Sequence, residues 1–130
     1  MMKKKVLLTG WIIFCVSVFI ALSGCSLMKY KKKIASTEIE KINLESIKDG
    51  EYEGFYDVYY LNARVAVKVE DNKIVSIELI EHKYDRYSGE PMIQQVLDNQ
   101  SLDVDAISGA TNSCKTVLKA IEIALSKGKI

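Results

Sequence analysis

Val65, Val67 and Val69 alternate with Ala66, Lys68 and Glu70. A period of two fits a strand with one face buried and the other in water, and it does not fit a helix. Asp71-Asn72 follows, and Asn tolerates the left-handed backbone that a tight hairpin requires. Beyond it Val75, Ile77 and Leu79 alternate with Ser76, Glu78 and Ile80. The chain must therefore contain an antiparallel pair with an apolar side that something else covers. Upstream, Asp49-Gly50 marks a turn, and Tyr52 to Tyr60 has the aromatic composition of a further strand, with Gly54 placed as a bulge.

Two helical patterns supply the cover. Pro91 suits the first turn of a helix whose apolar stripe is Met92, Ile93, Val96 and Leu97. After a connector from Asn99 to Ile107, Val117, Leu118, Ile121, Ala124 and Leu125 share one face of a last helix, with Gly128 as its stop. Strands first and helices afterwards imply an α+β fold: a small antiparallel sheet of about three or more strands packed against two helices.

The N-terminal quarter belongs to a different kind of structure. Lys3, Lys4 and Lys5 precede an uncharged run from Val6 to Ala21, which ends in Leu22-Ser23-Gly24-Cys25. A basic start, an apolar middle and small residues before a cysteine read as a secretory signal with a lipoprotein box, Cys25 being the lipid site. An uncleaved helix from Val6 to about Met28 is the alternative. Both readings put the remainder outside the cytoplasm, on the cell membrane. Residues 1–25 are thus signal or anchor, residues 26–48 a charged stalk and residues 49–130 the domain.

Charge and cysteine content exclude several functions. The first 24 residues carry three lysines and no acidic residue, so the remainder has 15 basic against 17 acidic side chains. Such a balance gives no electrostatic footprint for nucleic acid. Past Cys25 only Cys114 remains, which rules out an internal disulfide or a structural zinc site and leaves Cys114 as a small buried hydrophobe.

Chemistry concentrates in Ser108-Gly109-Ala110-Thr111-Asn112-Ser113, at the start of the last helix. Free backbone N–H groups and hydroxyls converge there at the positive end of a helix dipole, and Gly109 lets the backbone come close to a ligand. That combination suits a phosphate. It also suits a plain helix cap, with Ser108 or Thr111 accepting an N–H bond.

The chain resembles the FMN-binding domain family, found also in subunits of sodium-pumping NADH:quinone reductases and Rnf-type complexes. The resemblance rests on Asp49 to Gly54, on the strands around Asp71-Asn72-Lys73-Ile74, and on Gln100 to Ser113. It implies FMN as cofactor, joined by a phosphoester to Ser113, with Asp105 three residues before the Ser-Gly-Ala-Thr run as part of the motif. It also implies a separate FAD:protein FMN transferase as the modifying partner. Ser108, Gly109, Ala110, Thr111 and Asn112 would complete the cofactor site.

No histidine or carboxylate is fixed beside Ser113 by spacing, so a serine-hydrolase reading has no support and no catalytic residue is assigned. His82 reads as a surface or loop residue, and Tyr84 and Tyr87 as loop packing. The expected function is electron transfer, with a membrane reductase or quinol as donor. The alternative is a lipoprotein that binds FMN or a related phosphate ligand reversibly.

Overall fold

The computed structural model describes residues 2–107 and 109–130, leaving aside the side chains of residues 2–8, 22, 23, 25 and 26. Helix α1 spans Met2–Ser36, and the chain divides into two compact units, Met1–Lys33 and Ile34–Ile130. Within the first unit Trp11, Phe14 and Phe19 are exposed. Among the described residues no helix is both long and apolar enough to cross a membrane.

The second unit is built on three antiparallel strands in the order β1-β2-β3: β1 (Gly50–Asp57), β2 (Asn62–Glu70) and β3 (Lys73–Lys83). Asp71 (φ 50°) and Asn72 (φ 61°) are both left-handed, the backbone a two-residue hairpin needs. The expected alternation holds on β2, where Ala63, Val65, Val67 and Val69 are all fully buried. The opposite face is polar. There Arg64 bonds Glu53 at 2.8 Å, lies 3.8 Å from Glu81 and sits over the Phe55 ring. The hydrogen bond that Arg64 donates to Glu53 is the main cause holding its guanidinium above its usual pKa. The sheet is therefore covered on one side only.

Cover comes from α3 (Thr111–Ser126), which packs on β1 and β2, and from α2 (Pro91–Asn99), which lies against β3. Val117, Ile121, Ala124 and Leu125 of α3 and Met92 and Val96 of α2 join the buried valines in one core. Gln100, left-handed at the end of α2, ties that helix to the sheet. Its amide accepts from Ile74 N at 2.7 Å and donates to Ile74 O at 2.9 Å and Leu97 O at 2.8 Å.

Two features differ from expectation. Gly54 is not a bulge: it pairs in register with Val65, and the register shifts fall between β2 and β3, at Arg64/Val65 and Lys68/Val69. Its role is close approach, since a Cβ there would stand 2.0 Å from the Ala120 carbonyl oxygen. Residues 34–48 do not stand clear as a stalk. Ile34, Thr37 and Ile47 are buried, Thr37 Oγ1 and the Tyr56 hydroxyl are 2.6 Å apart, and Ile47 bridges Lys129. Buried Glu122 accepts from Glu40 N at 3.1 Å and pairs with Lys119 at 2.9 Å, while Lys119 Nζ donates to Glu38 O. Side chains on α3 thus hold the backbone of this segment, while its charged side chains stay exposed.

Candidate functional site

Gly109 turns the chain into α3 with φ 84°, a conformation that costs any other residue about 1–2 kcal/mol. Ala110 follows at the N-cap position and has no side chain to cap with. The first intrahelical bond runs from Cys114 N to Ala110 O at 2.8 Å, so the N–H groups of Thr111, Asn112 and Ser113 precede the helical ladder. Three donors at the positive end of a 16-residue helix face the same way.

A second segment closes on this one. His82, the penultimate residue of β3, pairs with Ala63 at the end of the sheet where β1 and β2 turn. Its Nδ1 lies 2.7 Å from Asn62 O, and its Nε2 lies 3.0 Å from Gly89 N. A carbonyl only accepts and an amide N–H only donates, so Nδ1 carries the proton and Nε2 is the acceptor. Between these ends the loop from Tyr84 to Ser88 folds over the helix start. The Tyr87 ring lies beside Gly109, where an added Cβ would meet it at 3.3 Å. Gly89 is buried on the first turn of α3, and a Cβ there would stand 2.5 Å from Ser113 O and 3.0 Å from Cys114 N. Tyr84 stacks loosely on His82, with ring centroids 5.1 Å apart.

The predicted site residues therefore occupy distinct environments. Thr111 and Asn112 are exposed, Asp105 is exposed on the connector, Ala110 is buried, and Ser113 retains only 4% exposure. Cys114 is fully buried in the core, as a small hydrophobe. Ser108 and the Cys25 side chain lie outside the described residues. Tyr87, which reads as loop packing, lies against Gly109 at the helix start, and His82, which reads as a surface or loop residue, bonds the loop that packs there. Gly89 carries one sequence signal, that of a glycine two residues before the helix-starting Pro91.

On another side of α3 a cavity of about 250 Å³ opens between Ile39, Leu102, Val104, Thr111, Lys115 and Leu118. Thr111, Lys115 and Leu118 share a helix face by their spacing, whereas Ser113 falls on a different one.

The model of the FMN-binding domain matches residues 59–126, just over half of the chain. The chain belongs to the FMN-binding domain family. The matched span takes in β2, β3, both covering helices and the whole Ser108–Ser113 motif, while β1 and the Asp49–Gly54 stretch fall before it. No individual curated protein matches the chain. FMN is the cofactor that membership implies, and the helix start fits its phosphate. Three backbone donors lie ahead of the helical ladder, the N-cap residue carries no capping group, and the glycine at 109 leaves the approach free of a side chain.

Proposed function

We propose that this protein is an electron carrier held on the outer face of the cell membrane, with FMN joined through its phosphate to Ser113 Oγ. The observation that carries the reading is the start of α3, where family membership and a dipole-positive helix end coincide on Ser113. In the attachment step the Ser113 hydroxyl gives up its proton and its oxygen takes the phosphorus of the flavin half of FAD. The pyrophosphate bond breaks and AMP leaves, in a reaction run by an FAD:protein FMN transferase. The N–H groups of Thr111, Asn112 and Ser113 would hold the ester phosphate, and Asp105 and Ser108 would flank the site. Bound FMN supplies reversible electron transfer, and the protein positions it and tunes its potential. A membrane reductase or quinol is the donor.

Lipid at Cys25 is the proposed tether, which needs no spanning helix. In support, the exposed Trp11, Phe14 and Phe19 of α1 suit a segment that is either removed or kept out of water.

The reversible alternative, FMN or another phosphate ligand bound without a covalent bond, is favoured by the cavity beside Thr111 and Lys115. Co-expression with a flavin transferase separates the two. After denaturing electrophoresis the wild-type band should fluoresce and the Ser113→Ala band should not. Flavin released on denaturation would favour reversible binding instead, and covalent flavin surviving in Ser113→Ala would move the attachment point elsewhere.

A further inference from the structure

Ser113 is the proposed attachment point, yet it retains only 4% exposure, and the backbone of Gly89 packs against its carbonyl group. An enzyme that modifies the hydroxyl must first meet an open form of the Tyr84–Gly89 loop. What holds that loop closed is readable in the hydrogen bonds. At its start it is continuous with β3, and Asn62 and Lys83 are bonded across the sheet through Asn62 Oδ1 at 2.9 Å. At its far end the Gly89 amide donates to the Nε2 of His82 at 3.0 Å, just before the chain enters α2 at Pro91. The His82 ring is itself fixed from behind by the Asn62 carbonyl, which dictates that Nε2 is the unprotonated nitrogen. The imidazole thus spans from the sheet to the loop.

We propose that His82 is the latch of this loop: its Nε2, by accepting from Gly89 N, keeps Tyr87 against Gly109 and Gly89 against the Ser113 carbonyl, and so sets access to the helix start that carries Ser113. The inference rests on the reading of Ser113 as the flavin site, and it gives that site a controlling residue. His82 is a positioning residue, acting through Gly89 and not on the cofactor.

The two ring nitrogens do different jobs, so two conservative replacements separate them. Glutamine places an oxygen near the Nε2 position and retains an acceptor for Gly89 N. Asparagine reaches only the Nδ1 position and loses it. Cys114, fully buried beside Ser113, reports opening in the full chain without any flavin. Alkylation at Cys114, resolved by peptide mass from Cys15 and Cys25, should be about tenfold faster in His82→Asn than in wild type, as expected for loss of one hydrogen bond. His82→Gln should stay within about twofold of wild type, since it keeps that bond. Gly89→Ala, which forces the loop off Ser113 while leaving His82 intact, should label as fast as His82→Asn. Amide exchange on β2 should be the same in wild type, His82→Asn and His82→Gln, which separates loop opening from global unfolding.

Equal labelling of His82→Asn and wild type would overturn the latch, as would equal acceleration in His82→Asn and His82→Gln. With the transferase present, His82→Asn should also gain covalent flavin faster than wild type. If no protein in the series gains flavin, the reading of Ser113 fails while the labelling still decides the latch.

Discussion

Gly89 meets Ser113 backbone to backbone: a methyl group on Gly89 would stand 2.5 Å from the Ser113 carbonyl oxygen. No side chain fits between the loop and the first turn of α3. Gly89→Ala is therefore expected to lower stability by about 1–3 kcal/mol through overpacking. Urea denaturation monitored by circular dichroism measures it. A variant as stable as wild type would show that the loop lifts away without cost.

Gly109 adopts φ 84° with the Tyr87 ring against it. Gly109→Ala should cost about 1–2 kcal/mol for the left-handed backbone alone. The strain falls at the turn that aims the first N–H groups of α3, so covalent flavin yield should fall as well. Gel fluorescence and thermal melting, read on the same sample, give both quantities.

Glu122 is buried with one oxygen on Glu40 N and the other on Lys119. Glu122→Ala leaves a backbone donor and a lysine without their acceptor, for a loss of about 1–3 kcal/mol. Glu122→Gln keeps an oxygen for Glu40 N and should lose less. Hydrogen exchange at the Glu40 amide should rise in the alanine variant and stay slow in the glutamine variant.

Gln100 makes three bonds from one side-chain amide, two of them to Ile74. Gln100→Ala strips partners from the start of β3 and the end of α2 together. A loss of about 1–3 kcal/mol is expected, from leaving these part-buried backbone groups unsatisfied. Amide exchange at Ile74 would show whether the loss is local to that corner.

Much of the fold was legible because its elements obey simple periods. Val65, Val67 and Val69 point to a one-sided sheet, and each is fully buried. Asp71-Asn72 is the left-handed pair that its composition implies. Gly54 was misread because a glycine in a strand means either a bulge or a crossing, and only the passage of α3 over it decides which. Residues 34–48 look solvated because the partners of their polar groups, Tyr56, Lys119 and Glu122, lie far along the chain. In the candidate site, the motif at Ser113 carries its own signal. The loop that covers it does not, since bonds through His82 and Gly89 depend on where β3 ends.

Gly54 and Gly89 together have a mechanical consequence. Apolar attraction alone would leave α3 free to settle nearer to the sheet or farther from it as side chains repack. Instead the helix meets bare backbone at two hard stops, Gly54 beneath its middle and Gly89 against its first turn. Two stops on one rod fix its height and its tilt. A group mounted at Ser113 would therefore hold a constant distance from the strands below.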